Sequence, residues 1–298
     1  QHHQIPCLST RTTLPFMKNE SNVLLKYLLL YMRPSNLDLS RLDEMINYCL
    51  ESNLNKLEDE LIREIHPQIN VQYNSLNIAV GRQRSGKTYS IIREIIKISN
   101  VCPRTHLLVY INKEGAASDP TFESLKSLIR IPIKYVPENK AEEYIQELLK
   151  WKMLYNYIKD KSAENKIQES QIRQMFDFLK INNFDNTTLH TLIFFEDAAN
   201  SKLFNKTTNY FNQLFTRLAH VQCSVFIAVQ FWKSLPTEIK SNASTIFIFP
   251  RFSKEQLRYM LRQIPLPYSF DEIWDVYSKL RDKEKLIVDV NNQDVKIE

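Results

Sequence analysis

Two of the three glycines in this 298-residue chain stand five positions apart, in the stretch LNIAVGRQRSGKTYSIIREIIK. A chain of this length with average composition would carry roughly twenty glycines. Where glycine is this scarce, the remaining ones mark places where no side chain is tolerated. Gly81 and Gly86 fit G-x-x-x-x-G-K-[ST], completed by Arg82, Gln83, Arg84, Ser85, Lys87 and Thr88. The apolar run 76–80 before them reads as a buried strand. After them, Ile91/Ile95 and Ile92/Ile96 fall one helical turn apart and read as a helix. A glycine loop between strand and helix turns its backbone N–H groups, and the positive end of the helix, toward phosphate oxygens. Lys87 then reaches the β- and γ-phosphates and the Thr88 hydroxyl ligates Mg²⁺. The expected ligands are ATP and Mg²⁺, held by Gly81 through Thr88 and the adjoining Tyr89.

The rest of the chain repeats the strand–helix alternation. Apolar runs at 76–80, 106–112, 191–197, 224–230 and 244–250 are short and mostly unalternating, as strands buried on both faces are. Helical stretches separate them. This predicts an α/β, P-loop-type fold with a largely parallel sheet and helices on both faces. Residues 71–298 form that domain, interrupted at about 138–188 by a charged, helix-rich insertion or lid. The last residues alternate around Asn-Asn-Gln-Asp and predict a hairpin. Residues 1–70 read as a mobile tail followed by a helical segment over 22–66, divided at Arg33 to Asn36.

Composition excludes little else. The chain is 43% hydrophobic and 24% charged, with net charge +5. That mildly basic balance suits a polyanionic partner without demanding one. The four cysteines, Cys7, Cys49, Cys102 and Cys223, have no metal-ligand spacing and read as free thiols. The histidines have no such spacing either. The most apolar early run, Val23 to Met32, contains Lys26 and is shorter than the ~20 residues of a membrane span. An intracellular protein is expected. The chain begins without Met, as a fragment or processed product would.

Two strand ends carry further chemistry. TLIFFED places Glu196 and Asp197 at the end of an apolar strand, where one acid can serve Mg²⁺ and the other the attacking water. Two acids in succession favour hydrolysis. The strand SVFIAVQ ends in Gln230, at the edge where open α/β sheets bind ligands, so its amide can touch both γ-phosphate and water. The plainer reading of Gln230 is a surface amide at a strand exit.

The order of loop, long interval, strand with two acids, helix and strand ending in Gln resembles the FtsK/HerA-type translocating ATPases. It most resembles the genome-packaging ATPases of poxviruses, other large DNA viruses and virophages. The resemblance covers roughly residues 74–264 and rests on GRQRSGKT, TLIFFEDAAN, FNQLFTRLAHVQCSVFIAVQFWKSLP and IKSNASTIFIF with LRYMLRQIP. It implies an ATP-driven motor that moves double-stranded DNA into a capsid as a homo-oligomeric ring. Capsid or portal vertex proteins would be its partners, and the host cytoplasm, viral factory or virion its location. Lys87 and Thr88 would bind phosphate and Mg²⁺, with Glu196 and Asp197 as the paired acids and Gln230 as the sensor. The family commonly has Asp where Glu196 stands, which leaves open whether Glu196 or Asp197 activates water. Arg217 suits an arginine finger acting on a neighbouring subunit's nucleotide, or else is a solvated helix arginine. Lys233, Lys240, Arg251, Lys254, Arg258 and Arg262, with Phe231 and Trp232, suit a DNA channel or a solvated basic face. A viral replicative helicase and a non-hydrolysing nucleotide-dependent scaffold are the alternatives. A nucleotide kinase fits least, for want of an Arg-rich acceptor lid.

Overall fold

The computed structural model describes residues 69–101, 105–113, 122–163 (apart from 124, 125, 127 and 130), 190–198, 202–205 and 209–298 (apart from 263). The expected tail, the N-terminal helical segment and the second half of the expected insertion lie outside these residues. The elements begin with β1 (Leu76–Val80), α1 (Lys87–Val101), β2 (Thr105–Asn112), β3 (Ile133–Pro137) and α2 (Glu138–Ala163). They continue with β4 (His190–Phe195), α3 (Lys202–Asn205), α4 (Asn209–Thr216), α5 (Leu218–Val221) and β5 (Cys223–Val229). The chain then runs through α6 (Thr237–Ser241), β6 (Thr245–Ile248), α7 (Lys254–Leu261), α8 (Phe270–Tyr277), β7 (Leu286–Asp289) and β8 (Asp294–Ile297).

The eight strands form one sheet in the order β3-β2-β4-β5-β1-β6-β7-β8. All pairings from β3 to β6 are parallel, and β7 and β8 add an antiparallel hairpin at one edge. The sheet is therefore the expected largely parallel one, and the terminal hairpin forms around the expected turn. Its central strands are buried on both faces. On one face Leu76, Ile78, Val80, Ile193, Phe195, Val225 and Ile227 pack with α2 and α4 to α8. On the other, Leu108, Phe194, Phe226 and Phe247 pack with Ile91, Ile92 and Ile95 of α1. Strand alternation thus still operates, but it divides successive hydrophobic residues between two cores rather than core from water.

Three features depart from the sequence reading. β3 was not among the expected strands, because an edge strand half in water shows no apolar run: Lys134 and Tyr135 are exposed and Pro137 closes it. Strands β4, β5 and β6 stop two, one and two residues short of the expected ends. At β4 the cause is local, since Asp197 adopts φ +48°, a left-handed conformation that ends the extended run. Finally, residues 138–163 are not a lid apart from the sheet. They form α2, whose Ala141, Ile145, Leu148 and Leu149 are buried in the first core. The charged residues along this helix hide an amphipathic one, with that apolar stripe inward, in contact with β2 and β3, while Lys140, Glu143 and Lys150 are exposed.

One contact ties α8 to the end of β6. The buried Tyr277 hydroxyl donates to the Phe249 carbonyl at 2.6 Å and accepts from the Phe252 N–H at 3.1 Å. Burial pushes that phenol up to about 12. Tyr277→Phe leaves both backbone groups without this partner and should cost about 1–3 kcal/mol. The expected result is a lower urea midpoint with an unchanged slope. An unaltered midpoint would show that the two backbone groups find other partners.

Candidate functional site

All six parallel strands end at the same edge of the sheet, and the polar residues gather there. After β1 the chain turns through the glycine loop. The Gly81 N–H donates to the Val229 carbonyl at 3.2 Å, and Ser85 N–H closes a turn onto Arg82 O at 3.2 Å. A Cβ on Gly81 would lie 2.6 Å from Ser85 Oγ and 2.7 Å from Phe249 Cβ, so this position admits no side chain. Arg84 and Gly86 have φ of +61° and +98°, which curls the chain back on itself before α1 begins. The first helical bond runs from Ser90 N–H to Gly86 O at 2.9 Å. Lys87 Nζ donates to the carbonyls of Gly81 and Arg82, 2.8 Å each, folded back over the loop. The side chains of Arg82, Gln83 and Arg84 are exposed. Tyr89 is exposed as well, on α1 beneath the Arg93 guanidinium, 5.8 Å from its ring centroid.

The two acids, adjacent in sequence, occupy opposite environments. Glu196 is buried. Its Oε1 accepts from the Thr88 hydroxyl at 2.7 Å, and its Oε2 accepts from the Tyr110 hydroxyl and from Asn112 Nδ2 at 3.2 Å. Burial raises its pKa above the ordinary glutamate value, the Thr88 hydrogen bond opposes that, and the Asp197 charge adds to it. Asp197 is partly exposed. Its Oδ1 accepts from Gln230 Nε2 at 3.2 Å, and its Oδ2 pairs with Lys113 Nζ at 3.0 Å. Lys87 completes the group: burial lowers its pKa, while Asp197 and then Glu196 hold it up.

Strand order explains why these side chains meet. β5 lies between β1 and β4, so Gln230 at its end stands between the glycine loop and the acids. The structure brings Lys87, Thr88, Glu196, Asp197 and Gln230 together. It adds Tyr110, Asn112 and Lys113 from β2 and its end, which the sequence reading did not single out. Their only signal was the polar ending Asn-Lys on the apolar run HLLVYIN, at the same edge as the acids.

Arg217 is not part of this cluster. It is exposed at the cap of α5, just before β5 begins. The seven residues of β5 separate it from Gln230, about 20 Å at ~3.3 Å per residue. The basic residues divide as well. Arg251 pairs with Asp282 at 2.8 Å and Lys254 with Asp271 at 2.8 Å. Lys233 lies over the exposed Tyr259 ring at 5.3 Å, and Phe231, next to Gln230, is exposed.

The residues fit a phosphate and a hard cation. The loop at Gly81 is closed to any side chain, and the buried Ser85 Oγ has no hydrogen-bond partner. Lys87 hydrogen-bonds the Gly81 and Arg82 carbonyls, with the two acids close enough to hold its pKa up. Thr88 and Glu196 present the oxygen donors that Mg²⁺ takes alongside phosphate and water.

Fold and loop together define an α/β domain of P-loop type. No protein-family model matches the chain, and no curated protein does. Among solved structures, it is similar to the DNA-packaging ATPase B204 of Sulfolobus turreted icosahedral virus at 15% identity. That match covers 76% of this chain and 97% of that one, with a TM-score of 0.48. It is similar also to the genome-packaging NTPase B204 of Sulfolobus turreted icosahedral virus 2 in complex with ATP-γS (16% identity, 75% and 96% covered, TM-score 0.48). A third is EssC, ATPases 2 and 3, from Geobacillus thermodenitrificans (11%, 74% and 39% covered, TM-score 0.48). At these identities the likeness concerns fold, not the roles of residues. Among the described residues no helix is long and apolar enough to cross a membrane.

The burial of Glu196 has a measurable signature. A carboxyl whose folded pKa is raised contributes stability that is present below its unfolded value, 4.5, and lost as pH rises through the folded one. Glu196→Gln should therefore melt above the wild type at pH 8 without nucleotide or Mg²⁺, and the gap should close toward pH 4.5. Thermal melts across this range check it. A gap independent of pH would mean that the carboxylate carries no desolvation cost.

Proposed function

We propose that this chain hydrolyses MgATP and uses the energy to move double-stranded DNA. The observation that carries the hydrolase reading is the division between the acids. Glu196 is buried and held through both oxygens by Thr88, Tyr110 and Asn112, so it is fixed on the cation side. Asp197 is open to solvent and shares an oxygen with Gln230, so it is the one placed to meet water. Asp197 takes the proton as the water oxygen bonds to the terminal phosphorus and the bond to the β-phosphate oxygen breaks, its electron pair leaving with ADP. Lys87 turns from the Gly81 and Arg82 carbonyls to the phosphates and offsets their charge. Bound Mg²⁺, on Thr88 and Glu196, would neutralise charge between the β- and γ-phosphates.

Coupling to DNA is supported by the surface that follows Gln230. Phe231, Lys233 and Tyr259 combine exposed rings with a cation, the chemistry that holds a nucleic-acid backbone and its bases. A strand engaged there acts one residue from the amide that touches Asp197. With the sequence resemblance, this makes a genome-packaging motor the preferred reading, with capsid or portal proteins as partners and the infected cell or virion as its place. Arg217 suits a ring: exposed and far from its own loop, it serves a neighbouring subunit's nucleotide or none.

Three experiments test this. Asp197→Asn should keep nucleotide binding and lose ~10²–10⁴-fold in turnover, while Lys87→Ala should lose binding itself. Phosphate release by the wild type should rise with long duplex DNA, and a flat response would remove DNA from the mechanism. Arg217→Ala and Lys87→Ala, each inactive alone, should recover turnover when mixed, provided subunits exchange. No recovery at any ratio would confine Arg217 to its own subunit or to the solvated surface.

A further inference from the structure

We propose that Lys113 is a triphosphate-responsive residue of this site. Its ammonium is paired with Asp197, and on binding of a nucleoside triphosphate it moves to the terminal phosphate and releases the carboxylate to take the proton from water. The proposal rests on the reading of the loop as a phosphate site and of Asp197 as the base.

Three observations carry it. The first is the ion pair, with Lys113 Nζ 3.0 Å from Asp197 Oδ2 while Gln230 holds Oδ1. Both carboxylate oxygens are thus already engaged, one by a cation and one by an amide, so the pair suits the resting site and blocks the approach of water in the working one. The second is the way Lys113 is mounted. Its N–H donates to Asn112 Oδ1 at 2.7 Å, and the Tyr135 hydroxyl donates to its carbonyl at 3.2 Å. Asn112 is in turn bonded to Glu196. The backbone is fixed from two sides, so only the four-carbon stem has to turn. The third is exposure: the side chains of Lys113 and Asp197 are 48% and 41% exposed, and an ion pair this open contributes little and exchanges readily.

Charge decides the direction of the exchange. Two ammonium groups, Lys87 and Lys113, share this edge with two carboxylates, Glu196 and Asp197, so the cluster is balanced on its own. The charge of Asp197 also acts on Lys87. A triphosphate brings more negative charge to this place than Asp197 carries. The terminal phosphate, absent in a diphosphate, is the new group beside Asp197. Lys113 therefore responds to the terminal phosphate alone, whereas Lys87, on the loop itself, is shared with the β-phosphate and stays engaged by a diphosphate.

Equilibrium binding of ATP-γS and of ADP, measured by calorimetry on the full chain, tests this without turnover. Lys113→Ala should weaken ATP-γS about tenfold, the value of one charge-assisted hydrogen bond. It should leave ADP affinity unchanged, which also shows that the variant is folded. Lys113→Arg should restore most of the ATP-γS affinity. Asp197→Asn removes the competing carboxylate and should tighten ATP-γS severalfold, a gain lost in the double variant. Equal weakening of both nucleotides, weakening of neither, or a gain in Asp197→Asn that persists without Lys113 would overturn the proposal. A wild-type protein that binds neither nucleotide would overturn the phosphate-site reading beneath it.

Discussion

A carboxylate taken out of water must be met by donors, and Glu196 is met by three. Thr88 reaches it from α1, and Tyr110 and Asn112 reach it from β2. Its own backbone N–H bonds to the Ile111 carbonyl at 2.9 Å, so the residue is still attached to the ladder after β4 has ended. These contacts hold only if β1, β2 and β4 end level with one another. The parallel register across β2, β4, β5 and β1 supplies that alignment, and burial on both faces holds the register. The core and the site are therefore coupled: a slip of one strand removes a donor from a buried charge.

The same arrangement makes two adjacent acids unlike. Extended backbone alternates its side chains between faces, but Asp197 leaves the extended region at φ +48° and turns its carboxylate to solvent. Glu196 is left among donors, with burial pushing its pKa up. Asp197 is left where Gln230 and Lys113 can approach it. One residue of left-handed backbone thus separates a buried, fixed carboxylate from an accessible one. It also accounts for the longer side chain at 196, since glutamate reaches both Thr88 across the sheet and the β2 pair.

The two ends of the sheet serve different purposes. The loop, Lys113, the acids and Gln230 lie at the ends of parallel strands, where side chains from neighbouring strands converge. The opposite end is built for rigidity: buried His190, kept uncharged by burial, accepts or donates to Thr105 at 3.0 Å and Ser224 at 2.9 Å and stacks on Tyr73. Arg217 belongs to that second end. The length of β5 separates it from Gln230 and the glycine loop.

Much of this was legible in the residues. Unalternating apolar runs between helices announce a parallel sheet because strands covered on both faces need no polar side. Gly81 and Gly86 announce the tight loop between β1 and α1 because only glycine fits against Phe249 at one position and at φ +98° at the other. Local chemistry of that kind is written in neighbouring residues. β3 and the role of α2 were hidden, since an edge strand and a charged amphipathic helix gain their identity from what they pack against. Tyr110, Asn112 and Lys113 were hidden for the same reason, being ordinary residues until strand order sets β2 beside β4. The sequence by itself determined the loop, the acids and the class of sheet, through backbone sterics and hydrophobic period. Only the tertiary structure decided which acid is buried and which cation faces it, because hydrogen bonds and desolvation depend on neighbours that are distant along the chain.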